Sequence, residues 1–278
     1  MGLDDRWQIS GDAAENYDRF VASWFTAWAR DLVARAGVGA GAELLDVACG
    51  TGVVERVAGP VVGPSGRIVA TDLNEDMLAQ ARRVGAEGAS VEWRQADATA
   101  LPFADAVFDA VLCQQGLQFV PDKAGAVSEM RRVLRLGGVA AVSVWCAPEE
   151  NPYLSALAEG LRRHVSTDAG LTMLAPCGLG DPEDLSGLFE HAGFEAVEVQ
   201  KVTMQREPMD AADAVAGNLA ALPIAGQITS MEPAAHAAMI DSILAELAPF
   251  ISDDQLTAPS SANIAVAVAP RGTRRDGG

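Results

Sequence analysis

The stretch that most constrains this chain is Glu43-Leu44-Leu45-Asp46-Val47-Ala48-Cys49-Gly50-Thr51-Gly52-Val53-Val54-Glu55-Arg56. A short apolar run that ends in an acid and then breaks into Gly-x-Gly ahead of a helical pattern reads as strand, tight turn and helix start. Glycine lacks Cβ, so the main chain of such a turn can approach a ligand closely. The helix start adds unpaired N–H donors and a partial positive charge. Twenty residues past Gly52, Arg67-Ile68-Val69-Ala70-Thr71-Asp72 reads as a second strand closing on an acid. An acid there is placed to grip two ribose hydroxyls. A strand–helix–strand unit of this kind demands a parallel sheet with helices packed on it.

Residues around the glycines narrow which nucleotide-like ligand fits. A dinucleotide fingerprint has a third glycine three residues after the second, where helix and strand pack closely. Here that position is Glu55, and a carboxylate there also opposes a pyrophosphate. Asp46, ahead of the glycines, instead suits a ligand with a cationic end. S-adenosylmethionine has one, carrying both an ammonium and a sulfonium. The segment Leu45-Asp46-Val47-Ala48-Cys49-Gly50-Thr51-Gly52 resembles the first motif of class I S-adenosylmethionine-dependent methyltransferases, with Ala48 where the family usually has glycine. The resemblance is to the small-molecule type, and the domain is similar to that of the ubiquinone/menaquinone-type C-methyltransferases.

Further segments follow in the family's order. Val91-Glu92-Trp93-Arg94-Gln95-Ala96-Asp97-Ala98 resembles the third strand and its end. In the family, the acid there accepts a hydrogen bond from the adenine amino group, and the next backbone N–H meets a ring nitrogen. Leu101-Pro102-Phe103 and Phe108-Asp109-Ala110-Val111-Leu112-Cys113 resemble the loop and the fourth strand. Gln114-Gln115-Gly116-Leu117-Gln118-Phe119 lies where the family lines its methyl-transfer site. The run from Glu129 to Gly138 matches the helix and turn before the fifth strand, with Leu136 where proline is frequent. Tyr17-Asp18 resembles the Tyr-Asp of many small-molecule members, whose tyrosine covers the methionine moiety. The likeness spans about Tyr17 to Trp145 and returns at Ala192-Gly193-Phe194. It implies a cofactor site formed by Tyr17, Asp46, Ala48, Gly50, Gly52, Asp72, Leu73, Met77, Asp97, Ala98 and Gln114, and it is silent on the methyl acceptor.

Periodicity organises the rest. Residues 12–36 read as helix, with Phe20, Trp24, Trp28 and Leu32 at four-residue spacing and Val21, Phe25 and Val33 alongside. That apolar stripe suits packing on the core, closure of its front end over the cofactor, or a homodimer contact. Residues 43–146 alternate strand and helix, and Gly63-Pro64-Ser65-Gly66 marks the turn into the second strand. Beyond Trp145, residues 151–165 read as helix and 167–180 as loop. Residues 181–192 are helical with Pro182 in the first turn, and 195–206 have β character. Residues 211–222 and 234–248 are helical, and 263–269 form a last strand. The expected fold is α/β, a Rossmann-like seven-stranded, mostly parallel sheet with helices on both faces. The expected division is an N-terminal helical lid segment, 1–37; a cofactor-binding core, 38–146; the rest of the core with strands six and seven and helical lid insertions, 147–270; and a disordered tail, 271–278. Strands six and seven form a hairpin in the family. Here a long insertion separates them, and with residues 147–180 and the N-terminal helix it is expected to lie over the carboxyl end of the sheet.

Composition narrows the partners. A chain of 278 residues, 49% hydrophobic, can bury a sizeable core as one elaborated domain. Twenty Lys plus Arg against 38 Asp plus Glu give a net charge of −18, a surface that repels phosphate backbones and argues against nucleic-acid substrates. No stretch approaches the ~20 apolar residues a membrane span needs, and the start, Met1-Gly2-Leu3-Asp4-Asp5-Arg6, is acidic, unlike a secretory signal. A cytoplasmic location is therefore expected. The cysteines at 49, 113, 146 and 177 include no Cys-x-x-Cys, so no metal is expected; three fall in or just after strands, where a thiol packs as a small hydrophobe.

For an in-line displacement at a sulfonium carbon, positioning and exclusion of water are the main requirements. A base depends on the acceptor. Of the three histidines, His164, after Arg162-Arg163 on a predicted lid helix, is the first candidate, whereas His191 and His236 read as structural. Gln115, with Gln114 and Gln118, is placed to orient an acceptor by hydrogen bonds. Glu149-Glu150 and Asp168 read as solvated charges. The lid is rich in Met173, Leu174, Pro176, Leu222, Pro223, Ile224 and Met231, which points to a small, largely apolar metabolite. Two other readings remain. A nicotinamide-dependent reductase is opposed by Glu55 and by the lack of a Tyr-x-x-x-Lys pair. A cofactor-binding scaffold or cyclase-like enzyme without methyl transfer keeps the same pocket.

Overall fold

A computed structural model describes residue 9 and residues 12–271. The acidic start and, apart from Arg271, the expected tail lie outside the described residues. Seven strands form the main sheet: β1 (Glu43–Val47), β2 (Arg67–Asp72), β3 (Ser90–Gln95), β4 (Phe108–Gln114), β5 (Leu134–Trp145), β6 (Glu195–Gln205) and β7 (Pro259–Val268). Their order is β3-β2-β1-β4-β5-β7-β6. Strands β1 to β5 pair in parallel, and β7 runs antiparallel between β5 and β6. This is the expected Rossmann-like sheet.

Both faces of the central strands are buried, and alternation decides which residue goes where. Leu44, Ile68, Ala110, Leu112 and Ala141 belong to one core layer. Their chain neighbours Leu45, Val69, Val111, Cys113 and Val142 belong to the other. Helix α1 (Asp12–Asn16) leads through a π-helical segment, Tyr17–Ala22, into α2 (Ser23–Arg35). With α3 (Val53–Val62), α2 covers the first layer through Trp28, Leu32, Val54 and Ala58. Helix α4 (Glu75–Val84) starts at an Asn74 cap, whose Oδ1 accepts the N–H groups of Asp76 and Met77. Helices α5 (Lys123–Val133), α6 (Pro152–His164), α7 (Thr167–Leu174) and α8 (Pro182–His191) follow. Of these, α5 and α8 cover the second layer through Val127, Met130, Leu185 and Phe189, while α6 and α7 build on the first through Leu157, Leu161 and Met173.

The insertion between β6 and β7 holds α9 (Ala211–Ala220), α10 (Ala225–Thr229) and α11 (Pro233–Leu247), tied at its base by three two-residue strands, Met209–Asp210, Ile251–Ser252 and Gln255–Leu256. Two departures from expectation trace to particular contacts. The N-terminal helix is π-helical where Phe20 meets α9: a Cβ at Gly217 would lie 2.3 Å from the Phe20 ring. Residues 167–174 form a helix rather than a loop, capped by Ser166, whose hydroxyl accepts the Ala169 N–H at 3.0 Å. The glycine in it, Gly170, is a contact point, because a Cβ there would stand 2.8 Å from the Ala158 carbonyl. Most of the apolar stripe packs on the core, the first of the roles expected of it. Trp28 is 1% exposed and meets Trp145 edge-on at 5.3 Å, and Trp24 stacks on Trp145 at 5.3 Å.

Candidate functional site

The sheet order reverses between β1 and β4, and it is outside the carboxyl ends of strands at such a switch point that an open α/β sheet leaves a crevice. Here the crevice is a cavity of 450 Å³, lined by the residues that follow β1, β2, β3 and β4 and roofed by Ile9, Tyr17 and Phe25. The turn after β1 supplies its floor. Ala48 has φ +57°, Gly50 +56° and Gly52 +86°, so three residues of five adopt the left-handed conformation that glycine favours. Ala48 tolerates it with room for its methyl group only because Gly116 lies opposite. A Cβ at Gly116 would fall 2.5 Å from the Ala48 Cβ and 3.0 Å from Cys113 Sγ. Gly116→Ala is therefore expected to cost about 1–3 kcal/mol of stability by overpacking. Adding Ala48→Gly should return part of that loss, which a double-mutant cycle by chemical denaturation will measure.

Asp72, at the end of β2, organises the turn. Its Oδ2 accepts the Gly50 N–H and its Oδ1 the Asn74 N–H, both at 2.8 Å. Burial raises its pKa, and the Asn74 and Gly50 amides partly offset that rise. Asn74 in turn donates from Nδ2 to the Ile9 carbonyl at 2.6 Å. Asp97 lines the cavity with Oδ1 accepting from the Thr99 N–H and hydroxyl at 2.8 and 2.7 Å. Asp46 is wholly buried at the floor. Burial, then the neighbouring Glu55 carboxyl, hold its pKa far above the usual carboxylate range.

Of the residues expected to bind the cofactor, Tyr17, Asp46, Ala48, Gly50, Asp72, Leu73, Met77, Asp97, Ala98 and Gln114 all line this cavity. Gly52 does not. Its α-carbon faces Trp93 of β3, whose ring would stand 2.7 Å from a Cβ there, so this glycine allows close helix–strand packing. The dinucleotide pattern puts that task at its third glycine; here the second performs it, which leaves the next position open to Glu55. Ile9, Asn74, Thr99 and Asp122 also line the cavity and were not among the expected residues. Asn74 and Asp122 carried a signal as cap residues, Asn74 before the acidic first turn Glu75-Asp76 and Asp122 before Lys123.

A second cavity of 60 Å³ adjoins the first and shares Tyr17, Phe25, Gln115 and Phe119 with it. Trp24, Trp145, Leu154, Met173 and Leu222 make it largely apolar. Gln115 sits at the junction with φ +53° and is 7% exposed. Its Nε2 and the Oε1 of Gln118 are buried without hydrogen-bond partners, while Gln118 Nε2 donates to the Gln115 carbonyl at 2.9 Å. Gln114 donates to the Phe25 carbonyl at 3.0 Å, tying α2 to the end of β4. His164 lies elsewhere. Leu154 of the same helix reaches the second cavity, and His164 is about 15 Å further along the helix axis at the usual rise per residue. None of His164, His191 and His236 lines either cavity, so the expected imidazole base is not brought to the site.

Comparison with known proteins agrees with this architecture. A family model described as a methyltransferase domain matches residues 45–142. The ubiquinone/menaquinone biosynthesis C-methyltransferase UbiE of Klebsiella pneumoniae is 34% identical over 192 residues, 63% of this chain and 75% of that protein. Its counterpart from Hahella chejuensis is 43% identical over 131 residues, which span 46% of this chain and about half, 52%, of the relative. Among solved structures, phosphoethanolamine N-methyltransferase 2 of Haemonchus contortus in complex with S-adenosyl-L-methionine superposes with a TM-score of 0.54 at 20% identity. The overlap covers 88% of this chain and 53% of that one, which shows the shared fold. A strand-end acid, a glycine turn and a second strand-end acid around one crevice, together with these relatives, establish that the chain belongs to the class I S-adenosylmethionine-dependent methyltransferases and uses S-adenosylmethionine as cofactor.

Proposed function

We propose that this methyltransferase transfers its methyl group to a small, largely apolar metabolite held in the second cavity. The observation that carries this reading is the junction itself: an aromatic and aliphatic chamber opens onto the cofactor cavity through Tyr17, Phe25, Gln115 and Phe119. S-adenosylmethionine supplies an electrophilic methyl carbon and a neutral thioether leaving group. The chain's residues hold and orient. Asp72 would grip the ribose hydroxyls, Asp97 and the Ala98 N–H the adenine edge, and Asp46 the ammonium. Tyr17 would cover the methionine moiety. Leu73 and Met77 supply apolar surface, and the Gly50–Thr51 main chain a close seat.

Catalysis then rests on alignment and dryness. Well-positioned reactants can lower a barrier by about 7–11 kcal/mol. With no imidazole at the site, the unpaired Gln115 Nε2 and Gln118 Oε1 orient the acceptor, favouring a nucleophile that needs no histidine base. An engineered cavity of about 150 Å³ takes up benzene, so at 60 Å³ the second chamber must widen for a ring to enter. Its Met173 and Leu222 side is built by α7 and the insertion. The described part of the expected N-terminal lid, residues 12–37, and the helical insertions within 147–270 thus act as the lid, 38–146 is the cofactor core, and β6 and β7 complete the sheet. The four unpaired thiols suit a reducing, cytoplasmic setting. Among the described residues, no helix is long and apolar enough to cross a membrane.

A mass-shift screen tests the proposal. Incubation with S-adenosylmethionine and a panel of terpenoid, polyketide and aromatic acceptors should add one methyl mass to an apolar member. Binding of S-adenosylhomocysteine without transfer to any member would favour the scaffold reading.

A further inference from the structure

At the floor of the cofactor cavity, Asp46 and, behind it, Glu55 bring together two carboxyls with no direct ion pair to a cation among the described residues. Asp46 in β1 and Glu55 in the first turn of α3 are both 0% exposed. None of their four oxygens receives an aligned hydrogen bond from a described residue; the amides of Val47 and of Glu55 itself lie near without that alignment. The two carboxyls do face each other, and only a proton between them turns that contact into a hydrogen bond. Arg56, the guanidinium beside them, is committed elsewhere. Its Nη1 donates to the Thr51 carbonyl at 2.7 Å and its Nη2 pairs with Asp18 at 2.9 Å.

The other groups around the pair add no positive charge. Asp72 from β2 contributes further negative potential to both carboxyls. Tyr17, Cys49 and Cys113 are acids that burial pushes up, away from neutrality. No histidine reaches the cavity. Two like charges in a dry site cannot both persist, so the pair keeps a proton at neutral pH. Burial pushes Glu55 up to about 7 and Asp46 well above its ordinary value.

We propose that Asp46 and Glu55 form a proton-sharing pair that gives up a proton when the cationic end of the cofactor docks against Asp46, so that cofactor binding is coupled to proton release. This rests on the cofactor seat proposed above. Glu55 is then a positioning residue: it lies behind Asp46 and sets how much negative charge the ammonium meets. The sign follows from linkage. An ammonium lowers the proton affinity of the pair, so protons leave over the pH range between the bound and unbound ionisations. Affinity therefore rises with pH, by up to about tenfold per unit for one proton, and levels off above about 7.

The test is calorimetric titration with S-adenosylhomocysteine between pH 5.5 and 7, where α-amino groups keep their own proton. Buffers of differing ionisation enthalpy report the protons exchanged. The native protein should release about one proton per ligand, with affinity climbing as pH rises. Glu55→Gln replaces the acid with an isosteric amide that can donate to Asp46. It should bind with no proton release, with affinity independent of pH in this range. Thermal unfolding without ligand gives a second reading. A carboxyl whose folded pKa is raised loses stability as pH rises towards that value, so the native melting temperature should fall between pH 5.5 and 7.5 more steeply than that of Glu55→Gln. Tight binding with no proton release by the native protein overturns the coupling. Equal release by native and variant also overturns it, because the proton then does not depend on the pair. No binding at all by the native protein overturns the cofactor seat instead.

Discussion

Replacing Asp72 with alanine should weaken binding of S-adenosylhomocysteine by about 100-fold or more. Two charge-assisted hydrogen bonds to ribose hydroxyls, about 1.5–3 kcal/mol each, would be lost together, and each 1.4 kcal/mol is tenfold in affinity. The variant also removes the acceptor for the Gly50 and Asn74 N–H groups, so the turn that seats the ligand loosens with it. Asp72→Asn separates these effects. Its amide oxygen can still accept one of the two backbone N–H groups, while the negative charge is gone, so its affinity should fall between those of the native protein and Asp72→Ala. Calorimetry on all three proteins, with circular dichroism to confirm folding, decides the matter. Equal affinity across the series would mean that the ribose is held elsewhere.

Trp28→Ala should destabilise the fold by about 3–5 kcal/mol, as truncation of a fully buried aromatic does. Trp28 is the buried keystone of the aromatic group that joins α2 to the end of β5. It meets Trp145 edge-on, and Trp145 also stacks on Trp24 and packs against Phe25. A loss of that size corresponds to a fall in melting temperature of roughly 10 °C for a domain of this length. Trp28 lines neither cavity, so the protein that stays folded should keep its cofactor affinity within a few-fold. A melting temperature unchanged by the substitution would contradict the packing described for α2.

The first half of the sheet was legible because its signals are local. The apolar run, the acid and the glycines specify β1, the turn and α3 within fourteen residues, and Asp72 repeats the strand-end acid. Asn74 and Asp181 announce α4 and α8 as caps. What escaped depends on contacts between distant segments. The π segment at Tyr17–Ala22 lies against Gly217, some two hundred residues away. The sequence of helix α7 reads as loop because Gly170 and its threonines weaken the helical pattern, and the approach of Ala158 explains the glycine. The two-residue strands at the base of the insertion are too short for periodicity to mark.

The site divides along the same line. The strand-end residues expected around the cofactor do surround one cavity, because a single turn of chain places each of them. Gly52 departs because its neighbour Trp93 comes from another strand. His164 departs because its place on α6 is set by which end of that helix meets the core. Glu55, read first only as a mismatch to a dinucleotide pattern, proves to be buried against Asp46. Its proximity to the cofactor seat was not evident from spacing alone.

The most direct test of the account is a crystal structure of the protein with S-adenosylhomocysteine. The ligand should lie in the cavity between the ends of β1 and β4, with its ribose hydroxyls on the Asp72 carboxylate, its ammonium towards Asp46 and its sulfur facing Gln115 and the aromatic chamber. Ligand bound outside that cavity, or inside it with the adenine on the Asp46 side, would contradict the account.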